Sequence, residues 1–282
     1  MTSQLHEDHE FGYSPDDFEQ VRRRLYQQAG ISLATSKRQM VYSRLARRLR
    51  HLHLSDFSGY LDYLDRHPEE WQPFINALTT NITAFFRERH HFDQLAQLAR
   101  ETQRQGRPLR LWSSAASTGE EPYSMAIALH QALGDRALGL RIIASDIDTG
   151  VLDTARQGIY ALERLEQLEP ALKKRYFQRG TGANTGLARI IPELRLMVEF
   201  RRINLLDAEW GIPSSLDGIF CRNVMIYFDK PTQARLLERM VRLLRPDGLF
   251  FAGHSESFVQ ANHLVKLVNR TVYRPAQQGA PA

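Results

Sequence analysis

The feature that most constrains the fold is a regular alternation of short apolar runs with amphipathic stretches from Leu109 onward. The runs are LRLWSS (109–114), LRIIASD (140–146), LDGIFC (216–221) and GLFFAGH (248–254), and helical patterns over 121–133, GVLDTAR and PTQARLLERMVRLL stand among them. Strands separated by helices cannot pair as tight hairpins. They lie parallel in one sheet, with helices covering both faces. The last two runs, LVKLVN and TVYRP, are close enough in sequence to form a terminal antiparallel hairpin. Between about residues 158 and 203 the alternation breaks. LERLEQLEPALKKRYF is helical in pattern, and RGTGANTGLARIIPELRLMVEFRRINL offers glycine-rich turns between short strands. The expectation is a small antiparallel unit inserted into the main sheet, with a decorated surface loop as the plainer alternative.

The first hundred residues carry a helical period instead. In SPDDFEQVRRRLYQQAG, Ser14 is placed to cap a helix, Pro15 to occupy its first position and Gly30 to stop it. In the next segment Val41, Leu45, Leu49 and Leu52 share one stripe while Lys37, Arg44, Arg48 and His51 share another, which predicts an amphipathic helix with a cationic outer face. Two short helices are expected around 55–65 and 69–79. The resulting organisation is a flexible N-terminus (1–13), a helical domain (14–80), a linker (81–92), a sheet domain (93–274) and a flexible tail (275–282). A chain of 282 residues with 43% hydrophobic residues has material for two such cores.

Composition narrows the functional classes. No apolar run reaches membrane-spanning length, and the opening MTSQLHEDHE is acidic and polar, so a cytoplasmic location without membrane insertion is expected. The single cysteine, Cys221, excludes an internal disulfide and a cysteine-built metal site, and its neighbours suggest a buried strand end. Six of the fourteen residues in KRQMVYSRLARRLR (37–50) are basic and none is acidic. Such a run can attract nucleic acid, an anionic membrane surface or an acidic protein, and a solvated helix face is the plainer alternative.

In an open parallel sheet, ligands bind beyond the carboxyl ends of the strands. The first strand runs into SSAASTGEEPYS, where small residues and Gly119 open a helix. The loop lacks the G-x-G-x-x-G pattern, and two glutamates at the helix start would repel a pyrophosphate. A ligand with an ammonium or other positive centre suits Glu120 or Glu121 better, although acids there also favour the helix dipole. The second strand ends in ASDID, which places Asp146 to accept from ribose hydroxyls and leaves Asp148 as a cap for the helix starting at Thr149.

TNITAFFRE, AASTGEEPYS, ASDIDTGVLDTARQGIY, FCRNVMIYFD and LLRPDGLFFAGHSES, in that order, make the chain resemble the chemotaxis-receptor methyltransferase family from its N-terminal helices to about Tyr273. The resemblance implies an α/β fold, a Rossmann-like class I methyltransferase sheet with a small N-terminal helical domain and an inserted antiparallel β subdomain. It implies methyl transfer from S-adenosylmethionine to glutamate side chains of chemoreceptors, S-adenosylhomocysteine as product, and no metal. The family's cofactor positions correspond to Asn81, Thr83, Arg87, Glu121, Asp146, Asn204, Leu205, Arg222 and Asn223, with Glu121 favoured over Glu120 by its spacing to Asp146. Tyr227 corresponds to its other active-site position. From the residues alone, Asn204 and Asn223 are strand-end amides able to read a base or amino acid, Arg222 could be an exposed charge and Tyr227 a core tyrosine.

The resemblance also implies partners. Arg44, Arg47, Arg48 and Arg50 would dock glutamate-rich receptor helices, and in some members the β subdomain grips a receptor's C-terminal peptide by strand addition. Phe85 and Phe86 are expected to anchor the linker between the domains while Asn81, Thr83 and Arg87 face the cofactor. Two other classes compete: a nucleic-acid methyltransferase and a non-catalytic signalling adaptor. The D/N/S-P-P-Y/F/W motif of amino-methylating DNA enzymes is absent from the sequence. A monomer is the default state.

Overall fold

The computed structural model describes residues 10–276. The chain divides into two compact units, Met1–Thr80 and Asn81–Ala282. Most of the two expected flexible ends, 1–9 and 277–282, lies outside the described residues. Residues 10–13, however, belong to the helical unit: Phe11 and Tyr13 are buried, and Gly12 accepts from Phe57 N at 3.2 Å.

The helical unit holds α1 (Pro15–Ala29), α2 (Arg38–Leu52), α3 (Phe57–Arg66) and α4 (Trp71–Leu78). Ser14 caps α1 in a reciprocal box with Asp17, and Gly30 ends it in the left-handed region at φ 69°. The inward stripes of the helices bury Phe18, Val21, Leu25, Val41, Leu45, Leu49, Phe57, Leu64, Phe74 and Leu78. The polar stripe of α2 departs from the expected cationic face. Arg48 forks onto Glu70 at 2.8 and 2.6 Å, Glu70 is 4% exposed, and Tyr60 Oη donates to the same carboxylate at 3.0 Å. Arg44 donates to the carbonyl of Thr79 at 2.6 Å. These two arginines close the helical unit from within.

The second unit runs α5 (His90–Arg104), β1 (Arg110–Ser113), α6 (Glu120–Leu133), β2 (Arg141–Asp146), α7 (Thr149–Gln157), β3 (Ile159–Ala161), α8 (Pro170–Tyr176), β4 (Phe177–Arg179), β5 (Leu187–Ile190), α9 (Pro192–Leu196), β6 (Val198–Arg202), β7 (Leu216–Cys221), α10 (Lys230–Leu243), β8 (Leu244–Ala252), β9 (Val265–Asn269) and β10 (Val272–Pro275). Seven strands form one sheet in the order β6-β2-β1-β7-β8-β10-β9. The first five in that order are parallel, and β10 is antiparallel to both β8 and β9. Side chains alternate along each strand, and this sorts them into two cores. Leu111, Ile142, Ala144, Phe220, Leu249 and Phe251 enter the core beneath α5 and α6, while Trp112, Ile143, Ile219, Cys221, Phe250 and Ala252 enter the one beneath α10.

The inserted unit is present and smaller than expected. β3, β5 and β4 form an antiparallel sheet, but β6, inside the expected span of 158–203, pairs in parallel with β2 as the edge of the main sheet. The phenylalanine pair also differs from expectation. Phe85 is buried edge-on to Tyr160 and Phe177 at ring-centroid distances of 5.0 and 5.4 Å, and Phe86 meets Phe92 at 5.0 Å. All these partners belong to the sheet unit, so the segment expected as a linker packs as part of it. No helix among the described residues is long and apolar enough to cross a membrane.

Candidate active site at the carboxyl edge of the parallel sheet

The chain moves from β1 outward to β2 and β6, then returns to the other side of β1 as β7. This reversal opens a crevice at the carboxyl ends of β1, β2 and β7. The loop after β1 turns into α6 at Gly119, whose φ is 97°. A Cβ there would lie 2.9 Å from both Ala155 Cβ and Tyr160 Oη, so glycine alone fits. Ala116 N donates to Ser145 O at 2.8 Å and Ser117 N to Asp146 Oδ2 at 2.8 Å, which lays this small-residue loop across the end of β2.

Asp146 is 8% exposed. Its other oxygen accepts from Asp148 N at 3.0 Å. Burial pushes its carboxyl up to about 6, against the pull of backbone amides from Asp148, Ser117 and Ile147. Asp148 caps α7 as expected and also accepts from Asn81 Nδ2 at 2.8 Å. Asn204 follows β6 beside this corner, with its Oδ1 taking Leu206 N at 3.0 Å, and Ile203 N bonds Asp146 O at 3.0 Å. The Leu205 side chain is buried in the core beneath α10.

The two glutamates of the GEE motif face different ways. Glu121 accepts from Ser113 Oγ at 2.8 Å and from Arg222 Nη1 at 2.8 Å. Glu120 accepts from Thr118 Oγ1 at 2.6 Å and pairs with Arg164, which leads to the small sheet. Glu121 is therefore the one at the strand ends. Arg222 is not an exposed charge: its side chain is 2% exposed, its Nη2 donates to the carbonyl of Arg87, and Glu88 Oε2 stands 3.6 Å from that same nitrogen. A buried guanidinium between two carboxylates ties α6, the end of β7 and the 81–88 segment into one ionic group.

That segment crosses the whole edge. Ser117 Oγ donates to Asn81 O at 3.2 Å, Arg164 to Thr83 O at 3.1 Å, Phe86 N to Ser124 Oγ at 2.9 Å, and His254 N to Glu88 Oε1 at 3.2 Å. Arg87 is half-buried, with its Nη1 on Ile82 O at 2.9 Å. Asn223 follows Arg222 in the left-handed region at φ 58°, and Tyr227, half-buried, ends the short turn Met225–Tyr227. The structure thus brings Asn81, Thr83, Arg87, Glu121, Asp146, Asn204, Leu205, Arg222, Asn223 and Tyr227 to one edge of the sheet. Of the four candidate docking arginines, Arg47 is exposed and Arg50 forms an exposed pair with Glu10 at 2.5 Å, while Arg44 and Arg48 have the internal partners described above.

Sequence reasoning missed two buried acids here. Glu88 closes the opening motif and holds Arg222, and Glu256 accepts four backbone amides from the loops after β7 and β8. Burial raises the Glu256 carboxyl, and those amides work against the rise. Both acids stand inside the motifs FFRE and GHSES, Glu88 between Arg87 and Arg89 and Glu256 between two serines, where an acid reads as an ordinary surface charge. His91, held down at about 2 by burial and by Arg222, is a neutral core group bonded to Thr271 Oγ1 at 2.8 Å. Glu88, His90 and His254 bring possible metal-ligand atoms within 4.8 Å of one another. The Arg222 guanidinium at 3.6 Å from Glu88 opposes a divalent ion there.

The donors and acceptors suit a nucleoside carrying an amino acid. Acidic groups for ribose and ammonium, amide side chains, and a loop whose Gly119 excludes a Cβ surround the same edge. Comparison with known proteins agrees with that chemistry. The family model described as CheR methyltransferase, SAM binding domain, matches residues 81–274, and the model described as CheR methyltransferase, all-alpha domain, matches 16–79. The chain is 67% identical over 267 residues to chemotaxis protein methyltransferase 2 of Pseudomonas aeruginosa, covering 95% of each chain. It is 57% identical to the chemotaxis protein methyltransferase of Klebsiella aerogenes, over 91% of this chain and 88% of that one. It is 55% identical to that of Salmonella typhimurium, over the same shares.

Proposed function

The chain belongs to the CheR methyltransferase family, and from that premise we propose that it transfers methyl groups from S-adenosylmethionine to glutamate side chains on the cytoplasmic helices of chemoreceptors, forming methyl esters. The observation that carries this reading is the convergence of Asp146, the Glu121–Arg222 pair and the 81–88 segment on one edge of the sheet. When bound, S-adenosylmethionine supplies a methyl group made electrophilic by its sulfonium sulfur. Asp146, ionised at neutral pH, accepts from the ribose hydroxyls. Asn81, Thr83, Arg87, Glu121, Arg222 and Asn223 hold the amino acid part, and Asn204 with Leu205 the base.

The acceptor needs little chemical help. A glutamate with an ordinary pKa of about 4.3 is ionised at neutral pH, so no general base is required. The protein's task is alignment, which can contribute about 7–11 kcal/mol. Arg87 makes charge-assisted bonds to carboxylate, and Tyr227 offers one hydroxyl to the incoming glutamate. Arg87→Ala and Tyr227→Phe should each lower turnover by at least tenfold while thermal unfolding stays near wild type. Wild-type turnover in both variants would overturn these roles.

Docking in this reading uses the α2 surface, with Arg47 and Arg50 as its solvent-facing charges and Arg44 and Arg48 setting the helix in place. Glutamate-rich receptor helices are the complementary partner, and their attraction weakens with salt. The β3-β5-β4 sheet takes a receptor's C-terminal peptide by strand addition, which raises the local concentration of methylation sites. The protein works as a cytoplasmic monomer.

A further inference from the structure

We propose that Glu256 is the positioning residue that holds the Arg222–Tyr227 loop in its cofactor-binding shape, an inference that rests on the methyltransferase reading. Glu256 lies just past β8, in a turn closed by its own amide on Gly253 O at 2.9 Å. Its side chain turns back beneath the neighbouring loop and is almost wholly buried. Oε2 accepts from Gly253 N at 2.5 Å and Asn223 N at 3.0 Å, and Oε1 accepts from Val224 N at 2.9 Å and Met225 N at 2.8 Å. One carboxylate therefore gathers four main-chain donors from two loops, an anion nest filled by the protein's own side chain.

This arrangement sets the shape of the loop that carries the site. Three of the four donors are consecutive residues at the mouth of β7, where Asn223 takes the left-handed conformation that asparagine enters more readily than other non-glycine residues and that these contacts fix here. Arg222 precedes this turn and points to Glu121, and Tyr227 follows it. The Asn223 side chain lies over Gly253, where a Cβ would come within 2.3 Å of Nδ2. Glycine at 253 and an anion at 256 are thus two halves of one clamp. Only a carboxylate offers acceptors on both oxygens; an amide would turn a donor toward two of the N–H groups.

The test uses the full-length protein and S-adenosylhomocysteine. Glu256→Gln and Gly253→Ala are compared with wild type by titration calorimetry, by thermal unfolding, and by the Michaelis constants for S-adenosylmethionine and for a receptor cytoplasmic fragment. Both variants should bind S-adenosylhomocysteine at least tenfold more weakly and raise the cofactor KM, and turnover should fall as well because Tyr227 rides on the same loop. A folded Glu256→Gln protein with wild-type S-adenosylhomocysteine affinity overturns the proposal, even if its unfolding temperature falls. Should Glu256→Gln not fold, Gly253→Ala decides by the same criterion. The calorimetric result stands apart from methyl transfer: a wild type that binds S-adenosylhomocysteine but methylates no receptor fragment contradicts the function, not the clamp.

Discussion

Lowering the pH should weaken cofactor binding through a single buried acid, Asp146. Its carboxyl is pushed by burial up to about 6. Ribose hydroxyls donate to the ionised form, so binding follows the ionised fraction. With that pKa the fraction is about 0.9 at pH 7 and about 0.1 at pH 5, so affinity for S-adenosylhomocysteine should fall about tenfold, or about 1.4 kcal/mol. Titration calorimetry from pH 5 to 8 at fixed ionic strength reads this directly. Asp146→Asn provides the control: its affinity should be lower throughout and nearly flat with pH, and any slope that remains belongs to other groups such as Glu256. A flat wild-type profile, or an Asn variant with the same slope, would refute the reasoning. The folded protein has the opposite trend in stability. The folded pKa exceeds the unfolded value of 3.8, so this contribution is fully present below about 4 and is lost as pH rises through about 6. The ligand-free protein should therefore carry a cost of up to about 3 kcal/mol at neutral pH that Asp146→Asn partly relieves. An amide facing the donors of Ser117 and Asp148 returns about 1–3 kcal/mol of that, so little net change in stability is expected.

Other perturbations follow from the same contacts. Arg222→Met leaves Glu121 and Glu88 buried without their cation and should cost about 3–5 kcal/mol in urea unfolding; a loss below about 1 kcal/mol would contradict the ionic group described here. Gly119→Ala should cost about 1–3 kcal/mol and weaken S-adenosylhomocysteine binding, because a Cβ meets Ala155 and Tyr160 at 2.9 Å and the backbone sits at φ 97°. Arg48→Ala strands the buried Glu70 and should cost about 3 kcal/mol in the helical unit. Arg47→Ala should leave stability within about 0.5 kcal/mol and raise the receptor KM in a salt-dependent way, and the reverse pattern in these two variants would disprove the division of labour on α2.

The parts legible in the sequence were those written in periodicity and capping. The continuous apolar runs in LRIIASD and GLFFAGH and the Ser14, Pro15 and Gly30 signals each imply one local structure, and the structure has it. The strand ends, and with them Asp146 and Arg222, follow from that. What periodicity lacks is partner identity. VEFRR has a strand pattern that fits the small sheet or the large one, and only its pairing with β2 decides. Arg48 lies on the polar stripe of α2, yet Glu70, carried by the turn before α4, draws it inward. Phe85 reads as a bridge between domains because its partners Tyr160 and Phe177 are distant in sequence, whereas Phe86 packs on the nearby Phe92. Glu256 was hidden for a related reason: its four partners are backbone amides, which no side-chain pattern records.

The central claim is methyl transfer to receptor glutamates, and the most direct measurement incubates the purified protein with methyl-labelled S-adenosylmethionine and, separately, receptor cytoplasmic fragments or nucleic acid. The expected result is label on the receptor fragment at glutamate, released as methanol by mild base. Base-stable label on nucleic acid, or no transfer to the receptor fragment by a protein that binds the cofactor, would contradict the account.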